Sequence, residues 1–333
     1  MSSKFFFTAA LFLLIAAHSA QAKIWTVAQR PGANFSALST AVGSASVLAG
    51  DTILVSGGSL SYVGFTISKR LTIIGPGYFL GENPGQADTN SARINSTVNV
   101  NAQGTILMGL YFASSIYVNA DNVTISRCRM GTSGVGTYPL YVYAKDSVII
   151  RQCYIHQASS YYGAVSVATG NTQFLLQNNY IEYAGGSSYT AIDFGASVTG
   201  DVSNNVITGD ININTVSYNN NIQRSGTFNG NGSVTPLNNI GNGAQYPAGT
   251  NQQGVTMTTV FAPSGTSDSK WQIQALGPAD NTGFGGVDCG MFENGVGHGY
   301  VLSGIPSIPS IYLFNAAVGG STITIDVNVK SNN

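Results

Sequence analysis

Short alternating runs of apolar residues fill most of the chain. Thr52-Ile-Leu-Val55 and Leu71-Thr-Ile-Ile-Gly75 come first. Val123-Thr-Ile-Ser-Arg-Cys-Arg-Met130, Val148-Ile-Ile-Arg-Gln-Cys-Tyr-Ile155, Phe174-Leu-Leu-Gln-Asn-Asn-Tyr-Ile181 and Val202-Ser-Asn-Asn-Val-Ile207 then align with one another. Their shared positions Cys128, Cys153, Asn179 and Asn205 are 25, 26 and 26 residues apart. Each unit also carries an earlier strand: Ile116–Ala120, Leu140–Ala144, Ala164–Ala168 and Ala191–Phe194. A unit this short cannot bury its own apolar face, so its neighbours must stack on it. Parallel strands of successive turns then pair at about 4.8 Å. The pattern predicts an all-β fold, a single-stranded parallel β-helix, with right-handed coils. A propeller needs roughly 40 residues per blade, and a leucine-rich repeat needs a consensus that is absent.

At the start, Asn34 is placed to cap a short helix whose face is Phe35, Leu38, Ala41 and Val42. From Gln223 to Thr266 the period fades into Gly, Asn, Thr and Ser, which reads as loops on terminal coils. Thr322–Val329 alternates again, with Ile323, Ile325, Val327 and Val329 on one face. It is expected to form a C-terminal β cap over the last coil, because an open coil end is an unpaired edge. A secretion or surface-attachment signal is the rival reading. The domain division is 1–22 leader, 23–292 β-helix and 293–333 C-terminal extension.

The leader follows from Lys4, the apolar run Phe5–Ala17 and Ala20-Gln-Ala22, the pattern of a signal peptide cleaved near Ala22. A secreted, extracellular or cell-surface protein is implied, with no membrane span. Only 8% of residues are charged, with 13 Lys plus Arg against 14 Asp plus Glu. An average domain carries about 25%. Such a balance excludes a basic nucleic-acid binder, and the protein is expected to be a monomer.

The residues Trp25-Thr-Val27, the Phe35 helix, Gly50-Asp-Thr-Ile-Leu-Val-Ser56 and Leu71-Thr-Ile-Ile-Gly-Pro-Gly77 resemble the opening of the pectin/pectate-lyase-like β-helix proteins. The resemblance extends to about Phe292. Gly277-Pro-Ala-Asp280 and Asp288-Cys-Gly-Met-Phe292 look like the closing coil of secreted bacterial β-helix proteins. Residues 300–312 resemble one subgroup of these whose activity is unassigned. The resemblance implies a short helix capping the first coil. It implies an extracellular polysaccharide as partner, and among enzymes a polysaccharide lyase or glycoside hydrolase. A non-catalytic adhesin-like scaffold is the alternative.

Period two assigns the candidate chemistry. The anchors Cys128, Cys153, Asn179 and Asn205 should stack inside, the two asparagines as an amide ladder. Cys128 and Cys153 fall within disulfide reach, although parallel neighbours orient their side chains alike, and buried thiols are favoured. Outward rows read Tyr117, Tyr141, Ser166, Asp193 and Arg129, Tyr154, Tyr180, Val206. Tyr117, Tyr141, Tyr154, Tyr180, Arg129 and Asp193 are therefore the candidate carbohydrate-binding residues, since flat phenol rings suit the apolar faces of sugars. A third row holds Gly131, His156, Glu182 and Thr208. His156 and Glu182 with Arg151 are the catalytic candidates, a base and a cation for a uronate carboxylate. The acidic clusters of calcium-dependent lyases and of polygalacturonases are missing. His298, in Gly297-His-Gly299, has no partner aspartates. No cofactor or metal is expected beyond a weak surface calcium site at Asp210-Ile-Asn-Ile-Asn214, which lacks the glycine and glutamate of an EF-hand loop.

Overall fold

A computed structural model describes residues 22–331 apart from 84, 133–137, 187–188, 293–298 and 320–321. Residues 1–21 of the expected leader and His298 lie outside the described residues. The chain forms a parallel β-helix of three sheets. Sheet A contains Ile24–Val27, Thr52–Val55, Thr72–Ile74, Ile106–Met108, Thr124–Ser126, Ile149–Arg151, Phe174–Gln177, Gly200–Ser203 and Val216–Asn219. Sheet B runs from Arg93–Ile94 through Tyr111–Phe112, Arg129–Thr132, Tyr154–Gln157, Tyr180–Tyr183, Val206–Thr208 and Ile222–Ser225 to Ile240–Gly241. Sheet C runs from Thr66–Ile67 through Val98–Val100, Ile116–Val118, Leu140–Val142, Val165–Val167, Ile192–Phe194 and Ile211–Asn212 to Phe228–Asn229.

Alternation fills the interior. Ile53, Ile73, Leu107, Ile125, Ile150, Leu176, Val202 and Tyr218 form one in-register column of sheet A, all buried. Between sheets A and B the chain bends through one left-handed residue per coil: Arg127, Gln152, Asn178, Asn204, Asn220 and Asn238, with φ from 51° to 58°. Asparagine tolerates that conformation better than other residues with a β-carbon. The next residue points inward and supplies the ladder. Asn205 Oδ1 accepts from the Asn179 backbone at 3.0 Å, and its Nδ2 donates to the Leu176 carbonyl at 2.8 Å. Asn221, Asn239 and Asn251 continue the column beyond the two members anticipated. Cys128 and Cys153 occupy earlier rungs as free buried thiols, each donating to a carbonyl at 3.2 Å.

The capping helix, α1, spans Leu38–Gly43 and buries Leu38, Ala41 and Val42. Asn34 does not cap it. Its side chain accepts from the Thr26 backbone and hydroxyl instead, and Ala37 holds the N-cap position. The larger departure lies beyond Gly241. At the last coils Tyr246 packs on Tyr218 and Phe228, with ring centroids 6.0 and 5.2 Å away, and plugs the interior. The chain then returns along the outside of sheet B. Val260, Phe261, Trp271, Ala279, Cys289, Met291 and Tyr300 cluster with Tyr154, Tyr180, Val206, Ile222 and Ile240 from that sheet.

The left-handed bend residues hold this return segment. Asn238 donates to Thr282, Asn220 accepts from Phe284, and Asn178 donates to Met291. Gln152 donates to Gly299 and Arg127 to Ile305. From Thr282 to Ile305 the order along the segment is the reverse of the order along the coils, so this stretch leads the chain back to its first turns. There Asp268 accepts from Asn83, Tyr300 and the Ser303 backbone. Burial pushes its carboxyl up, against those hydrogen bonds. The last two strands, Ser310–Gly319 and Thr322–Lys330, pair antiparallel as a ribbon. The ribbon is tied to the opening coils by Ala87 donating to Ile311. The expected cap over the last coil is thus displaced to the opposite end, because the segment before it runs the length of sheet B.

Candidate functional site

Two outward surfaces contain the candidates. On sheet B, Tyr154–Gln157 and Tyr180–Tyr183 pair in register, setting His156 beside Glu182. His156 Nδ1 donates to Glu182 Oε2 at 2.8 Å, with both side chains partly exposed. That hydrogen bond, followed by the opposing effect of burial and by the His156 charge, Tyr180 and Arg224, holds the Glu182 carboxyl below its usual range. Thr208 is next in the row and accepts from Arg224 Nη1 at 2.7 Å. Arg224 lies 4.0 Å from the Trp271 ring centroid and Lys270 4.8 Å from it. Arg224, Phe261, Pro263, Lys270 and Trp271 line an adjoining cavity of about 360 Å³.

The other sequence-predicted residues of this face are not open. Tyr180 is 1% exposed and stacks on Trp271 at 4.8 Å, and Tyr154 lies between Tyr180 and Phe79. Burial pushes the Tyr154 phenol up to about 12 and the Tyr180 phenol further. Arg129 is held 4.5 Å from the rings of both Phe79 and Tyr111. The row points away from the coil interior, as period two requires, but Trp271 of the return segment covers Tyr180, and Phe79 packs over Tyr154 and Arg129. Tyr154, Tyr180 and Arg129 are therefore withdrawn as a sugar-binding surface. Arg151 ends a sheet A strand across the bend at Gln152, on a different sheet from His156. The cation that reaches Glu182 is Arg224, which has no signature in the sequence because it enters after a break in strand register between Ile207 and Thr208.

Sheet C carries the exposed aromatic surface. Tyr117 and Tyr141 pair in register with centroids 6.1 Å apart. Tyr143 packs on Tyr141 at 4.8 Å, Tyr138 on Tyr141 at 5.2 Å, Tyr162 on Tyr138 at 4.6 Å and Tyr189 on Tyr162 at 6.0 Å. Six tyrosines thus touch in one network, partly or fully exposed. Tyr138, Tyr143, Tyr162 and Tyr189 add to the two found by strand alternation. Tyr138, Tyr162 and Tyr189 sit in the loops entering sheet C, outside any strand period. The row continues through Ser166 to Asp193, which accepts from Asn212 at 2.8 Å. Asn229 and Asn231 donate in turn to Asn212. The flat face passes from phenol rings to carboxylate and amides along the helix axis.

At the candidate calcium segment, Asp210 accepts from the Thr227 backbone and hydroxyl, while Asn212 turns to Asp193. No cluster of three or more His, Cys, Asp or Glu side chains suited to a metal ion occurs among the described residues. No helix of the described residues is long and apolar enough to cross a membrane. Comparison of the chain with protein-family models, curated proteins and solved structures gave no match.

Proposed function

We propose that the protein is a secreted β-helix that binds an extracellular polysaccharide along the outer face of sheet C. The contiguous six-tyrosine network supports this reading most directly. Phenol rings offer broad apolar faces with a polar edge, and a polymer of sugar rings presents matching faces at regular spacing. Asp193 and the Asn212 row extend the track with hydrogen-bonding groups for sugar hydroxyls. The test is calorimetric titration of the chain beginning at Lys23 against a panel of neutral and acidic polysaccharides. Binding to at least one is expected, and absence of binding across the panel defeats the reading.

The hydrogen-bonded His156–Glu182 pair favours a second reading, in which the polymer is also cleaved. A histidine positioned by a carboxylate is suited to take up a proton, and Arg224 is near enough to balance negative charge at the pair. Lyase action appears as new ultraviolet absorbance and hydrolysis as new reducing ends. Binding without either product assigns the protein to adhesion or scaffolding.

A further inference from the structure

The C-terminal ribbon presents one continuous apolar face. The register pairs Ile311 with Val329, Phe314 with Val327, Ala316 with Ile325 and Val318 with Ile323. Directly opposed residues share a face, so these eight side chains form one surface. Ile311 and Phe314 are three residues apart and would otherwise point to opposite sides. The register shift between Ile311 and Leu313 brings them together. The ribbon's charges, Asp326 and Lys330, fall on the other face with Thr322, Thr324 and Asn328.

This apolar face is uncovered, and exposure is greatest at the tip. Val318 is 78% and Ile323 66% exposed, against 46% for Ile311 at the base. An isolated two-stranded ribbon is marginally stable in water, and natural proteins cover or charge such edges. At the base, a groove of about 600 Å³ opens between Ile308, Ile311 and Phe314 of the chain's end and Leu54, Ile74 and Pro76 of the first coils.

We propose that the ribbon is a dimerisation arm that packs face to face against the ribbon of a second copy of this chain. In an antiparallel two-fold arrangement the tip of each ribbon lies over the base of the other. Val318 and Ile323 of one copy then enter the Leu54–Ile74 groove of its partner, so the most exposed apolar residues meet the apolar part of a groove that Arg30 and Asp88 also line. Tip and groove belong to the same chain, and the interface is isologous and closed. Strands of nine and ten residues span about 30 Å. Seven β-branched or aromatic side chains per copy, each with about half its surface uncovered, provide several hundred Å². That is of the order of the roughly 800 Å² per partner in a stable interface. The ribbon face itself carries no charge. The proposal runs against the sequence-based expectation of a monomer, and it stands apart from glycan binding.

Sedimentation velocity on the chain beginning at Lys23 tests it, with Val318→Asp, Ile323→Asp and Leu54→Asp alongside. Val318 and Ile323 are exposed and Leu54 points outward from sheet A. Circular dichroism should therefore show an intact β-helix in all three. A dimer is expected for the unaltered chain, with each substitution weakening association by at least about tenfold. A monomeric unaltered chain overturns the proposal. So does a dimer indifferent to the three substitutions, or open-ended fibres in place of a dimer.

Discussion

Tyr154 and Tyr117 occupy outward strand positions on different sheets, yet Phe79 packs against the first while solvent reaches the second. Alternation decides only which side of a strand a residue takes. What lies on that side depends on residues distant in sequence, here Phe79. Sequence therefore located Tyr117, Tyr141, His156 and Glu182 correctly on outer faces, but could not separate open rows from covered ones. Glu182 provides a residue-scale prediction. Its carboxyl is held below the ordinary glutamate range, so the ionised form contributes stability that is full above the unfolded value of about 4.3. That contribution is lost as pH falls through the lower folded value. Chemical denaturation across pH should find Glu182→Gln less stable than the unaltered protein near neutrality. The gap should close as pH drops below about 4. A gap that widens in acid contradicts the ion pair. At the cysteines, burial pushes Cys153 up to about 12, so a thiol reagent near neutral pH should label Cys128 and Cys153 only after unfolding.

The coils were the legible elements because each repeats the same physical problem. Every unit needs inward β-branched residues, a left-handed bend and a group to satisfy the backbone inside that bend. Asn179 and Asn205 betrayed the last requirement, and Asn221, Asn239 and Asn251 meet it in coils of irregular length. Replacing Asn205 by Leu leaves the Asn179 backbone N–H without its acceptor and places an apolar group against bend carbonyls. Each unsatisfied buried group costs roughly 1–3 kcal/mol, so urea unfolding should show a loss of about 2–4 kcal/mol. A loss below about 0.5 kcal/mol denies the ladder a stabilising role. The return segment was illegible at this scale. It has no strand period, and its attachment through Asn238, Asn220 and Asn178 uses residues whose type is already explained by the bends.

Across the whole molecule, the return segment converts an open stack of coils into a body with one covered and two uncovered faces. Trp271 is its keystone, stacked on Tyr180 and flanked by Arg224. Trp271→Ala should cost about 3–5 kcal/mol and increase proteolytic cleavage between residues 255 and 305, with the coils resistant. Covering sheet B leaves the sheet C tyrosines as the broad aromatic surface available to a polymer. Calorimetric titration with the polysaccharide selected from the panel addresses that claim directly, comparing the unaltered chain, Tyr138→Ala/Tyr141→Ala and His156→Ala/Glu182→Gln. Each lost aromatic contact is worth about 0.5–1.5 kcal/mol, so the tyrosine variant should bind about 5- to 150-fold more weakly while the sheet B variant retains its affinity. Unchanged binding by the tyrosine variant, or loss confined to the sheet B variant, would contradict a sheet C binding face.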